Sequence, residues 1–137
     1  MSDRTILITG GTGFIGAYTA ANAVENGDDV VVFDVSSDET ILEKLDVADR
    51  VEVIEGDITE TTSVFEAIKT TGATHVIHLA ALLTNLSNQY PRRAIDVNVK
   101  GTNTIFEAAR VFDDQIERVA WASSSAVYAP PEKYDDP

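Results

Sequence analysis

The chain of 137 residues contains no cysteine. Disulfide bridges, thiolate zinc sites and cysteine nucleophiles are excluded together, and the absence fits a reducing cytoplasm. Basic charge is scarce too: 10 lysines and arginines stand against 23 acidic residues, for a net charge of −13. A field of that sign disfavours nucleic acid and other polyanions as partners. The acidic residues run along the whole chain, in "GDD", "DVAD", "FDD" and "YDDP", rather than forming a tail. A high-salt cytoplasm would select such a halophilic composition, because salt screens the self-repulsion; an ordinary acidic protein is the alternative. No apolar run approaches the roughly 20 residues of a membrane span. The N-terminus "MSDRTILITG" carries no long apolar stretch and no small-residue cleavage site, so the expectation is a soluble, cytoplasmic chain with no membrane partner.

What is present is material for a core, with 44% hydrophobic residues in a chain of single-domain length. Five apolar runs, "TILIT" (5–9), "VVVFD" (30–34), "VEVIE" (51–55), "HVIHL" (75–79) and "RVAWAS" (118–123), alternate with segments of helical character. That alternation predicts βαβ units: a three-layer, doubly wound α/β fold with a parallel sheet of order 3-2-1-4-5. Most runs are continuously apolar, as strands covered on both faces should be. The third alternates Val51, Glu52 and Val53, which places it at a sheet edge. Helices are expected after the first glycine run, near 39–45, over 61–71 and from Pro91 to Phe112, with Gly27 and Gly72 as stops. The last helix carries two adjacent apolar stripes, Ala94, Val97, Gly101, Ile105 and Ala108 beside Ile95, Val99, Thr102, Phe106 and Ala109. Together they are wider than contact with one sheet requires.

The stretch "ITGGTGFIG" places Gly10, Gly11, Gly13 and Gly16 directly after the first strand, at the start of a helix. Glycines in that context permit a tight turn and let backbone N–H groups and the helix N-terminus approach a pyrophosphate. No lysine follows the last glycine, so a triphosphate-binding loop of the Walker type is excluded. Asp34 ends the second strand about 20 residues further on, where a carboxylate would accept hydrogen bonds from the ribose hydroxyls and repel a 2′-phosphate, favouring NAD over NADP. Asp57, in "GDI", would reach the adenine amino group or cap the next helix. His75 and His78 lie on opposite faces of one strand, so no metal site is expected. Asn98, mid-helix between two valines, needs a partner, either bracing backbone or fixing an active-site loop.

The motifs "TGGTGFIG", Asp34, "GDI", "HLAA" (78–81), "NVKGT" (98–102) and "SSSAVY" (123–128), in this order and spacing, resemble the N-terminal half of an extended short-chain dehydrogenase/reductase, the NAD-dependent epimerase/dehydratase family. The resemblance implies an NAD site formed by Gly10, Gly13 and Gly16 with Phe14 and Ile15, by Asp34, by Asp57 with Ile58, by Leu79, Ala80 and Ala81, and by Asn98. It implies that Ser124 polarises a substrate oxygen, that the substrate is a small molecule, by family base rate a nucleotide sugar, and that homodimers form through the helix near 91–112. A threonine dehydrogenase-like enzyme and a stand-alone dinucleotide-binding module are the alternatives. Two features depart from the family pattern. Ala129 replaces the usual glycine, and none of Tyr18, Tyr90, Tyr128 and Tyr134 has a lysine four positions on. The catalytic tyrosine-lysine pair is therefore missing, and the 137 residues are expected to be a truncated NAD-binding domain, inactive alone and lacking a substrate lobe.

Overall fold

The computed structural model describes residues 4–124, 127 and 128. Strands β1 (Thr5–Thr9), β2 (Asp29–Asp34), β3 (Val51–Glu55), β4 (His75–His78) and β5 (Arg118–Trp121) form one parallel sheet of order β3-β2-β1-β4-β5. Between them lie α1 (Phe14–Glu25), α2 (Thr40–Lys44), α3 (Thr61–Thr71), α4 (Thr84–Gln89) and a long final helix. This is the expected doubly wound architecture. Side chains alternate across each strand, so β1 sends Leu7 to one face and Ile6 and Ile8 to the other. On the first face Leu7, Val31, Phe33 and Val76 meet Val64 and Ile68 of α3 and Ile105 and Ala108 of the last helix. On the second, Ile8, Val30 and Val32 meet Ala17, Ala20 and Val24 of α1 and Leu42 of α2. Small residues on α1 let it lie close to the sheet, and β3 is the predicted edge, with Glu52 and Glu55 exposed.

Three features differ from expectation. The fifth strand stops at Trp121 rather than Ser123. Helix α4 was not foreseen, because "TNLSNQ" carries no apolar stripe; the Ser87 N–H donates to the Leu83 carbonyl and the Ser87 hydroxyl to that of Leu82. The final helix is continuous but not uniform: α5 (Pro91–Ile95) passes into a π-helical segment, Asp96–Gly101, and then into α6 (Thr102–Val111). Its first stripe is buried from Val97 to Ala108, while Ile95, Val99 and Phe106 of the second are 56%, 62% and 41% exposed. Among the described residues no helix is long and apolar enough to cross a membrane.

Candidate cofactor crevice

In a parallel sheet every strand ends on the same edge, and a doubly wound order opens a crevice where the chain reverses direction. Here that point lies between β1 and β4, and the segment leaving β1 is the glycine turn. Gly10 has φ +70°, and a Cβ on it would sit 2.8 Å from the backbone nitrogen of Ala80. On Gly16 a Cβ would lie 2.1 Å from the Gly10 carbonyl oxygen. The turn is thus folded against its own helix on one side and the exit of β4 on the other. Gly13 caps α1 with no side-chain hydrogen bond, and the first helical turn holds no acidic residue. The positive end of the helix dipole is left to face the crevice. Phe14 and Ile15 stand exposed at the rim.

Asp34, at the end of β2, is oriented before any ligand arrives. The Thr12 N–H donates to one carboxylate oxygen at 3.1 Å and the Ser36 N–H to the other at 3.3 Å. It caps no helix, since α2 begins at Thr40. Asp57 likewise does not cap α3, whose N-cap is Glu60. It accepts from the Thr59 N–H at 2.9 Å and the Thr59 hydroxyl at 2.7 Å, and pairs with the Arg93 guanidinium. Burial pushes its carboxyl up, but the donors from Thr59 and Arg93 outweigh this and hold it below the usual carboxylate range. The side chain of its neighbour Ile58 is 3% exposed, sealed in the core, so only its backbone could meet a ligand.

Leu79 and Ala80 turn their N–H groups toward Thr9, whose hydroxyl lies 3.2 Å from each. They therefore offer a ligand the wall of the loop rather than donors; Ala81 beyond them is exposed. Asn98 reaches the same loop: its Oδ1 accepts the Leu82 N–H at 2.8 Å and its Nδ2 donates to the Leu82 carbonyl at 3.0 Å. The amide holds the backbone of this loop from within the π segment. His75 and His78 serve separate contacts, with Thr74 and with Thr9 and Thr102. Ser124 follows β5 on an exposed stretch and its carbonyl accepts the Val127 N–H at 3.2 Å. Ala129 and Tyr134 lie outside the described residues. A concavity of about 440 Å³ lined by Thr5, Asp29, Arg50 and Thr71 is at the opposite end of the sheet, away from all of these groups.

The model of the NAD-dependent epimerase/dehydratase family matches residues 6–137. The chain belongs to this family. A putative UDP-glucose 4-epimerase of Methanocaldococcus jannaschii is 36% identical over 129 residues, covering 92% of this chain and 40% of the relative. Among solved structures, UDP-glucose 4-epimerase from Brucella ovis in complex with NAD superposes with a TM-score of 0.79 at 29% identity, covering 93% of this chain and 38% of that one. L-threonine dehydrogenase of Clostridium difficile superposes with a TM-score of 0.72 at 25% identity, over 84% of this chain and 35% of that one. This family member thus spans about 40% of the length of the relatives it matches. Sequence reasoning missed two members of the crevice: Arg93, which pairs with Asp57, and Thr9, which gathers the loop N–H groups. Arg93 stands 36 residues from its partner, and a threonine ending a strand carries no signal of its own.

Proposed function

We propose that this chain is the NAD-binding portion of an oxidoreductase of the nucleotide-sugar epimerase/dehydratase type. The observation that carries the reading is the glycine turn, where the room a Cβ would fill is already taken by backbone, opposite a carboxylate held in place by the turn's own Thr12 N–H. These residues fit a dinucleotide. The backbone from Gly10 to Gly16 and the uncapped end of α1 would take the pyrophosphate, and Asp34, with lone pairs left on both oxygens, would accept the ribose hydroxyls. Asp57 would meet the adenine amino group, and Leu79 to Ala81 would form the facing wall. When bound, NAD would supply reversible hydride transfer.

Ser124 would hold a substrate oxygen by hydrogen bonding. A serine hydroxyl is a poor base at neutral pH, and no tyrosine in the chain has a lysine four residues on. The 137 residues alone therefore bind cofactor without turning over substrate. The likeness to L-threonine dehydrogenase favours a second reading, with the same cofactor site and a small hydroxy amino acid in place of the nucleotide sugar. In either case the exposed Ile95, Val99 and Phe106, the last packed edge-on against Trp121 at 5.1 Å, support self-association through the final helix.

Isothermal titration with NAD and NADP at low and moderate salt tests the cofactor assignment. NAD should bind more tightly than NADP, and Asp34→Asn should narrow the difference. Because the pyrophosphate approaches a chain of net charge −13, affinity should rise as moderate salt is added. Tighter binding of NADP would overturn the role given to Asp34, and affinity falling steadily with salt would overturn the electrostatic argument.

A further inference from the structure

His78 is 5% exposed and touches no part of the crevice surface, yet it joins groups that do. Its Nδ1 lies 2.7 Å from the Thr9 hydroxyl and its Nε2 2.9 Å from the Thr102 hydroxyl. The Thr9 hydroxyl oxygen also receives the Ala80 N–H and a share of the Leu79 N–H, which reaches the Thr9 carbonyl at 3.1 Å as well. Two donors occupy both lone pairs of that hydroxyl, so its single proton goes to Nδ1. Nδ1 is therefore an acceptor, and the neutral ring carries its proton on Nε2. That proton is donated to Thr102, whose own hydroxyl proton goes to the Asn98 carbonyl at 2.8 Å. The Asn98 side chain then closes on Leu82. From the Leu79 and Ala80 N–H groups to the Asn98 carbonyl the donors point one way, the Asn98 side chain then exchanges a bond in each direction with Leu82, and both ends of the series lie on the loop from 79 to 82.

We infer that His78 is a positioning residue: locked as the neutral Nε2–H tautomer, it aims the Thr9 hydroxyl and so holds the Leu79-Ala80 backbone against the glycine turn, setting the wall of the crevice. The inference deepens the NAD-binding reading above and rests on it for the use of that wall. A histidine that merely filled the core would impose no direction on its hydrogen bonds. The direction is what can be tested, because asparagine and glutamine replace the two ring nitrogens unequally. In His78→Asn the amide oxygen takes the place of Nδ1 and still accepts from Thr9. In His78→Gln the longer side chain carries a donor toward Thr102 and leaves Thr9 without its acceptor.

The experiment uses the 137-residue chain. Nitrogen-15 NMR of His78 should show an unprotonated Nδ1 and a protonated Nε2. Amide hydrogen exchange should find Leu79 and Ala80 protected in the wild type and nearly so in His78→Asn. In His78→Gln protection should fall by about tenfold at Ala80, the loss expected for one buried hydrogen bond, and by less at Leu79, which keeps the Thr9 carbonyl; NAD affinity should fall in the same order. Should neither variant fold, Thr9→Ser and Thr9→Val make the same comparison, with protection at Ala80 kept by the serine hydroxyl and lost with valine. An Nδ1–H tautomer, or equal protection in the paired variants, would overturn the inference. A wild type showing the tautomer and the ordering but no affinity for NAD would support the loop placement and refute the NAD reading instead.

Discussion

Gly16→Ala separates local propensity from packing, because the two predict opposite signs. Gly16 lies inside α1, where alanine is preferred to glycine by about 1 kcal/mol. Propensity alone would make the substitution stabilising. The added Cβ, however, would lie 2.1 Å from the Gly10 carbonyl oxygen and 2.6 Å from the Gly11 Cα. Comfortable non-bonded separations are about 3.5–4.0 Å, so the turn must retreat by about 1 Å or more. Both obstructing atoms are backbone, Gly10 lying against Ala80 and Gly11 against Val32, and no rotamer change relieves the clash. Overpacking of this kind costs about 1–3 kcal/mol and sometimes more, which outweighs the helical gain. With only backbone able to yield, the cost sits at the upper end of that range, and the net loss after the helical gain is about 2 kcal/mol, which should lower Tm by about 4–8 °C. Gly13→Ala is the control in the same turn, since its Cβ would come no nearer than 3.3 Å to the Gly10 carbonyl. Its expected cost is about 1 kcal/mol, from placing alanine at an N-cap. Urea denaturation followed by circular dichroism, with NAD titration of each variant, reads both effects. A Gly16→Ala chain as stable as wild type, with unchanged affinity, would refute the wedge.

Three other outcomes follow from the same structure. Burial depresses the titration of His78, while an unfolded histidine titrates near 6.5. As pH falls below about 6.5 the unfolded chain gains a proton the native one refuses, so stability should drop by at most about 1.4 kcal/mol per pH unit until the native value is passed. Urea midpoints between pH 7.5 and 5 should show this slope in wild type and lose it in His78→Asn. Sedimentation velocity should find concentration-dependent association that Phe106→Glu abolishes; a monodisperse wild-type monomer at high concentration would exclude the exposed stripe as an interface. NADH absorbance with nucleotide sugars and hydroxy amino acids should show no turnover by the 137 residues, and activity that disappears in Ser124→Ala would make the chain a minimal enzyme.

The first two strands were legible as short, nearly uninterrupted apolar runs, a pattern that a sheet covered on both faces rewards, and the third by the alternation of Val51, Glu52 and Val53 at an edge. The glycine turn and Asp34 could be read because their spacing is local to one βαβ unit. What escaped depends on partners distant in the chain. Nothing near Asp57 announces Arg93, and nothing near His78 announces Thr9, 69 residues earlier, or Thr102, 24 residues later. Asn98 is intermediate: its residue type and setting demanded a partner, but only the fold supplies Leu82. Helix α4 escaped for a different reason, since it is held by its own backbone and Ser87 rather than by an apolar face. The π segment is invisible to any search for a 3.6-residue period, because its flanks keep the period on either side.

A π turn is an α-helix with one residue to spare. Deleting a single residue between Asp96 and Gly101 would let the helix close into regular α geometry, with α6 still presenting its buried face to the sheet. The fold, in other words, would survive the shorter sequence. What would shift is Asn98, carried with the contracted turn away from the Leu82 backbone it clasps. The extra residue is what sets Asn98 against that backbone, a requirement the packing of α6 does not share.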